Sequence, residues 1–161
     1  MISQWIKEGY SHLYLGAVRI ILTLHGHKGL PVTARLALLN SIYCKYDQAV
    51  IDTSITTLHA GSICLTFYPN FNIPLTDPNI CKCLKIQVQI FDISMAPGSY
   101  MATLHHQLAY RLQDHAIDFL LPGTSTKTLL ITGEREEILP SHKSQDRLLE
   151  ISLLSLCLLN E

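Results

Sequence analysis

The sequence predicts an all-β domain, a jelly-roll-like sandwich or barrel of about seven strands with a C-terminal helix. Short runs of alternating apolar and polar residues carry this prediction. The strictest is LKIQVQI at residues 84–90, the pattern of a strand with one buried face. Clusters of glycine, proline and asparagine, which favour turns, separate the runs. With 161 residues, 48% hydrophobic and 16% charged, the chain forms one domain with a full core.

The first strand is predicted at His12–Leu24, HLYLGAVRIILTL, which is rich in β-branched and large apolar residues. Gly16 within it marks a bulge or a close approach to another backbone. The segment HGHKGLP at residues 25–31 contains two glycines and a proline, so it is predicted as a turn. A second strand is predicted to follow at residues 32–39.

The next two strands are predicted at residues 49–58, which are rich in threonine and isoleucine, and at residues 62–68, SICLTFY. In the latter, every second residue from Ile63 to Phe67 is apolar and points inward. Residues 69–79, PNFNIPLTDPN, contain three prolines and three asparagines, which predicts a surface loop before the strand with strict alternation.

The last third of the chain is predicted to add two strands and the helix. Residues 100–113 alternate like a strand, although their leucines, spaced four apart, suit a helix equally. A short final strand is predicted at residues 128–132, and residues 146–159 are predicted to be helical. This divides the chain into a β domain at residues 5–137 and an apolar helical tail at residues 138–161.

Charge and hydropathy limit the classes of function. The net charge is −1, which excludes a polybasic arm or an acidic tail. Residues 1–111 carry eight Lys and Arg against five Asp and Glu, whereas residues 112–161 carry four against eight. The first two thirds are therefore the part expected to meet an anion. The longest apolar stretch is too short to cross a bilayer, so a soluble or peripheral protein with no transmembrane segment is expected.

Candidate metal and catalytic groups are incomplete, which predicts a non-enzymatic protein without cofactor or metal. His25 and His27 resemble the start of a metal site at a barrel mouth, but no Glu follows at the required spacing. A metal-dependent small-barrel enzyme therefore stays only as an alternative. Cys81 and Cys83 lack a second pair at zinc-site spacing. The five cysteines are odd in number and are interpreted as reduced thiols of an intracellular protein.

Basic residues close to aromatic ones form the remaining constellation. Four of the cations in the first 45 residues form this set, with Tyr43 and Tyr46 adjacent to the last of them, and such a set can follow a phosphate backbone while rings stack on bases. The four are Arg19, Lys28, Arg35 and Lys45. The alternative is that these cations only keep exposed strand faces soluble.

The order of four segments resembles the thirty-kilodalton superfamily of plant-virus movement proteins, with plant pararetroviruses closest. The segments are HLYLGAVRIILTL, then KGLPVTARLALLN, then YPNFNIPLTDPN with LKIQVQI, and finally LHHQLAYRLQDH. The resemblance extends over residues 5–123. Its most specific parts are Gly16 in the first segment, and Gly29, Pro31 and Arg35 in the second.

This resemblance implies a non-enzymatic jelly-roll domain that binds single-stranded nucleic acid with little sequence preference. It also implies cytoplasmic action at plasmodesmata or cell junctions, at the periphery of the membrane, with membrane-associated host proteins and with self-association. The predicted phosphate contacts are Arg19, Lys28, Arg35, Lys45 and Arg111, and the predicted motif positions are Gly16, Gly29, Pro31 and Asn40. A structural or self-assembly β module without nucleic-acid binding is the alternative.

One motif position departs from the family pattern. The family characteristically has an Asp at the end of the second strand, often with a basic residue two positions later, and this chain has Asn40 and Ile42 there. Asn keeps an acceptor oxygen but loses the charge, which weakens a charge-assisted bond at that site. Together with the short ends, this predicts a shortened, diverged, endogenous copy of a movement protein, resident in a plant genome and with a degenerate function.

Overall fold

A computed structural model describes residues 1–25, 29, 31–91, 100–116, 128–140 and 149–152. Within these residues the chain forms two short helices and nine strands. They are α1 (Ile2–Lys7), β1 (His12–Leu24), β2 (Thr33–Asn40), α2 (Tyr46–Ala49), β3 (Val50–Thr57), β4 (Ser62–Phe67), β5 (Phe71–Pro74), β6 (Leu84–Phe91), β7 (Tyr100–Gln113), β8 (Thr128–Pro140) and β9 (Leu149–Ser152). Neither helix is long and apolar enough to cross a membrane.

The strands form two antiparallel sheets. Sheet A has the order β4-β1-β7-β8, with β5 also paired to β1, and sheet B has the order β3-β2-β6-β9. The chain passes from one sheet to the other after β1, β3, β5, β6 and β8, so neighbours in a sheet are mostly distant in sequence. The predicted all-β sandwich is thereby confirmed.

The core lies between the two sheets and is built from the alternating apolar residues of the sequence. In β6, Leu84, Ile86, Val88 and Ile90 all point into it, as the alternation predicts. Full burial of one such side chain contributes about 1.5 to 3 kcal/mol of stabilisation. The largest fully buried side chains are Leu13, Leu15, Ile20, Leu22, Leu36, Leu38, Leu58, Ile73, Leu84, Ile86, Leu104 and Leu108.

The longest strand pair is β1 with β7, and a bulge interrupts it at Gly16. Leu15 pairs with Tyr110, but the next pair joins Ala17 to Ala109, so Gly16 is the extra residue. The bulge predicted at this position is confirmed. It reverses the alternation of β1, so that Leu15 and Val18, three residues apart, both face the core.

The other edge of β1 is shared by β4 and β5. Val18 pairs with Phe67 of β4, and Leu15 pairs with Phe71 of β5, so residues 68–70 lie beside the bulge. Asn70 in this connection has a φ of 49°, the left-handed region that Asn tolerates better than most residues. The irregular connection between β4 and β5 therefore lies beside the bulge of β1.

Several predicted elements differ from the observed ones. The predicted loop at residues 69–79 contains β5, an edge strand that ends in Pro74 and buries Ile73. The last predicted strand extends from residue 132 to Pro140 because β8 pairs with β7 along its whole length. For residues 100–113 the strand prediction is confirmed and the helical alternative is wrong.

The predicted C-terminal helix is wrong for residues 149–152, which form β9. Ile151 pairs with Ile86 of β6 and packs against the core, so backbone pairing to sheet B overrides the local preference. The rest of residues 146–159 lies outside the described residues. The domain division after residue 137 stays a prediction. The two short helices are not in the predicted set, and α1 contributes a buried Trp5 whose ring lies 6.2 Å from that of Tyr110.

Candidate nucleic-acid interface

A shallow groove of about 260 Å³ crosses the outer face of sheet A beside the bulge. Arg19 of β1 and Thr66 of β4 form a register pair within it, and Arg19 also pairs with Gln107 of β7. Ala17 and Ala109 have short side chains, which leaves open space over the sheet between the longer ones. The groove thus joins a cation, an amide and a hydroxyl on three adjacent strands.

Tyr68 and Arg19 are both exposed residues of this groove. The Tyr68 side chain is 67% exposed, immediately after β4 ends and opposite the bulge. The Arg19 side chain is exposed, and its Nη1 donates to Gln107 Oε1 at 3.5 Å, which is a long and weak hydrogen bond. An aromatic face and a loosely held guanidinium therefore lie along one groove.

Arg111 of β7 lies on the same face of sheet A, opposite Tyr14 near the start of β1. Its guanidinium carbon is 4.2 Å from the centroid of the Tyr14 ring, a close cation–π contact between register partners. The Tyr14 hydroxyl donates to Asn70 Oδ1 at 3.0 Å, which ties this pair to the connection beside Tyr68. Two of the predicted cations, Arg19 and Arg111, are therefore on one face.

Arg35 and Lys45 are on the other side of the sandwich, at the outer face of sheet B. Arg35 Nη2 donates to the Tyr46 hydroxyl at 2.9 Å, and its Cζ is 5.8 Å from the ring centroid. Lys45 is exposed at the N-cap position of α2. The predicted cations are thus divided between opposite faces, and Lys28 lies outside the described residues.

The predicted motif residues shape the chain around β2. Gly29 has a φ of +92° and its N–H donates to the carbonyl of His59, so a side chain here would be strained. Pro31 is exposed just before β2. Asn40 ends β2 as predicted, and its Oδ1 accepts the N–H of Ile42 at 3.1 Å. The acceptor oxygen that Asn shares with Asp is therefore in use in this turn.

Sequence reasoning did not single out Tyr14, Tyr68 or Gln107. A signal for Tyr68 was present, because the alternation of SICLTFY that turns Phe67 inward turns Tyr68 outward. Tyr14 had no such signal. In a regular strand it would face away from Arg19, five residues later, and only the bulge brings both to the outer face.

Metal-binding geometry is not found in the described part of the chain, where no three His, Cys, Asp or Glu residues could together hold an ion. His25 Nε2 is 2.6 Å from Thr103 Oγ1, and His27 lies outside the described residues. The Cys83 thiol is buried and donates to the Ile80 carbonyl at 3.1 Å. Burial, reinforced by the Asp77 carboxylate, raises the pKa of Cys83 to about 12.

The buried thiol of Cys83 is expected to react more slowly than the exposed thiols of Cys44 and Cys64. Because alkylation requires the thiolate, and a thiol with a pKa of about 12 is about one part in ten thousand thiolate at pH 8, folded protein should leave Cys83 unmodified. Cys44 and Cys64 are exposed and should be alkylated. Peptide mass spectrometry after iodoacetamide treatment checks this, with urea-unfolded protein as the control in which all three react. Alkylation of Cys83 as fast as Cys64 in the folded protein would contradict its burial.

Comparison with known proteins places the chain in a protein family. A family model described as viral movement protein matches residues 2–121. The chain is similar to the genome polyprotein of Petunia vein clearing virus, with 48% identity over 121 residues, 75% of this chain and 6% of the polyprotein. It is 24% identical to the movement protein of Figwort mosaic virus, over 66% of this chain and 36% of that protein. It is also 24% identical to the movement protein of Cauliflower mosaic virus, over 86% and 42% respectively.

The chain therefore spans less than half the length of each of these relatives. No solved structure matches it.

Proposed function

Because the chain belongs to the viral movement protein family, we propose that it serves cell-to-cell movement of a plant pararetrovirus by binding single-stranded nucleic acid. The interface is the outer face of sheet A, around the groove that contains Arg19 and Tyr68. The observation that carries this placement is the exposed Tyr68 ring beside the loosely held Arg19 guanidinium. Single-stranded nucleic acid presents the two groups that these residues recognise, phosphates and unpaired bases.

Arg19, Tyr68 and Arg111 have distinct roles in this proposal. The Arg19 guanidinium binds a phosphate, exchanging one long hydrogen bond to Gln107 for charge-assisted ones. The Tyr68 ring stacks on a base, which favours no particular sequence because every base has a π face. Arg111, already oriented by the Tyr14 ring, supplies a second phosphate contact along β1.

Sheet A is preferred to sheet B because its Arg19 guanidinium is exposed and is held by only one long hydrogen bond. On sheet B the Arg35 guanidinium donates to the Tyr46 hydroxyl at 2.9 Å, so a phosphate would have to compete with that contact. Arg35 and Lys45 then form a separate surface, on the opposite side of the sandwich. A strand of nucleic acid on sheet A does not reach them.

Membership of the family supports a proposal about the wider setting of this activity. We propose that the protein acts without catalysis, at plasmodesmata and at the periphery of membranes, together with host proteins. A structural module without nucleic-acid binding is the second candidate, favoured by the position of β3 as the terminal described strand of sheet B. Binding measurements distinguish the two candidates.

Affinity for single-stranded nucleic acid is expected to depend strongly on salt. Each phosphate contact releases counterions, so the logarithm of the association constant should fall by about 0.7 per contact for each tenfold rise in salt. Arg19→Ala should flatten this slope by about 0.7. Fluorescence anisotropy with labelled single-stranded DNA and RNA, at several salt concentrations, measures both slopes.

Arg35→Ala is the matched control, because it removes the same charge from the opposite face and should leave the slope unchanged. A wild-type chain whose binding does not respond to salt, or does not occur, would reject the nucleic-acid proposal in favour of the structural module. An equal flattening by both substitutions would reject the assignment to sheet A.

A further inference from the structure

We infer that the open edge of β3 pairs with the β3 edge of a second copy of this chain, joining two sheets B into one. This inference does not rest on nucleic-acid binding. β3 is the terminal strand of sheet B and is paired on one side to β2. On its other side no strand of the described residues lies, so a row of backbone donors and acceptors faces outward.

The sequence of β3 favours pairing over protection. Natural edge strands discourage association with lysine, proline or bulges. Here the residues from Thr53 to Thr57 are Thr-Ser-Ile-Thr-Thr, uncharged and mostly β-branched, which suits a paired strand. The charge and the irregularity of β3 are both at its start, where the register with β2 shifts between Leu38 and Leu39.

Asp52 prevents a partner strand from pairing with the start of β3. Its Oδ1 accepts the N–H of Thr53 at 2.8 Å, and its side chain is exposed. A carboxylate at this point opposes an approaching strand both by its charge and by its hydration. The segment left for pairing is therefore residues 53–57.

Ile55 determines the register within this segment. It is 70% exposed, the most exposed large hydrophobic residue of the described chain, and it stands in the middle of residues 53–57. A two-fold axis through Ile55 sets the two isoleucines side by side, Thr53 opposite Thr57 and Ser54 opposite Thr56. Directly opposed residues of antiparallel strands share a face, so the pair of isoleucines would cover each other.

Neighbouring registers are worse for defined reasons. An axis through Ser54 brings Asp52 opposite Thr56 and leaves each isoleucine beside a threonine. An axis through Asp52 opposes the two carboxylates directly, which is destabilising. The axis through Ile55 pairs no charges and produces an eight-stranded sheet from two four-stranded ones. The contact is isologous, so it closes at two copies.

Sedimentation velocity over a range of concentrations tests the inference on the whole chain. Wild type should show a reversible dimer. Ile55→Lys and Ile55→Glu should each raise the dissociation constant about tenfold or more, because the axis places like charges against each other. An equimolar mixture of the two variants should recover the dimer, since Lys then faces Glu.

Ile42→Lys is the control, because Ile42 is exposed on the same chain but lies outside β3. It should leave the dimer unchanged, and circular dichroism of every variant checks that the fold is retained. A wild type that stays monomeric, or an Ile55→Lys variant that dimerises as well as wild type, would overturn the inference. A mixture that stays monomeric would also overturn it. If salt-dependent nucleic-acid binding persists in that case, the proposed function survives without the dimer.

Discussion

Replacing Leu36 by alanine is expected to lower the free energy of unfolding by about 2 to 5 kcal/mol. Leu36 is 0% exposed in the middle of β2, where Ser54 and Val88 are its register partners in sheet B. The strands on either side fix the backbone here, so the core cannot collapse fully into the space left by the missing atoms. Urea unfolding followed by circular dichroism measures the change as a lower midpoint with an unchanged slope.

Ile42→Ala provides the matched control, because it also shortens a branched aliphatic side chain. Ile42 is 51% exposed in the connection between β2 and α2, so its loss should change the free energy of unfolding by less than about 0.5 kcal/mol. Equal losses for the two variants would mean that Leu36 does not lie in the packed layer between the sheets.

Much of the fold can be predicted from the sequence because its signals are local. A strand with one face on a core must alternate, and β1, β6 and β7 all do so over most of their length. Gly16 is equally readable, since a glycine inside such a strand commonly marks a bulge. These patterns depend only on nearby residues, and they hold wherever the strand later pairs.

Elements that depend on distant partners could not be predicted in this way. β5 contains a proline and lies among turn-forming residues, and it exists because the part of β1 from His12 to Leu15 has a free edge there. β9 similarly forms on the edge of β6. In both cases the decisive hydrogen bonds come from a strand far away in the sequence, which periodicity within the segment cannot reveal.

In the candidate site, too, some features can be predicted from local sequence and others cannot. The cations Arg19 and Arg111 are evident in the sequence, but their shared face is not. Tyr14 and Arg19 are five residues apart, and strict alternation would put them on opposite faces; the bulge at Gly16 shifts the parity and places both outside. A single extra residue in β1 thus assembles the surface on which the proposed function depends.

Tyr68→Ala is expected to weaken binding of single-stranded nucleic acid about 5- to 150-fold, which corresponds to about 1 to 3 kcal/mol for one stacked base. The ring is 67% exposed beside Arg19, so its removal takes away a stacking surface and little of the core. Tyr68→Phe should restore most of the affinity, because stacking needs the ring and not the hydroxyl. Fluorescence anisotropy at fixed salt measures all three proteins.

Tyr46→Ala is the control on the opposite face, where the Tyr46 ring stands beside Arg35 and is 42% exposed. It should leave affinity unchanged, because nucleic acid on sheet A does not reach it. The same variants can be scored for movement by complementing a movement-deficient virus in leaf tissue, where Tyr68→Ala should fail and Tyr68→Phe should spread. Equal loss of binding in Tyr68→Ala and Tyr46→Ala would contradict a one-sided interface. Normal binding by Tyr68→Ala would remove the groove on sheet A from the proposal, since the exposed ring is the feature that distinguishes it from a merely solvated strand face.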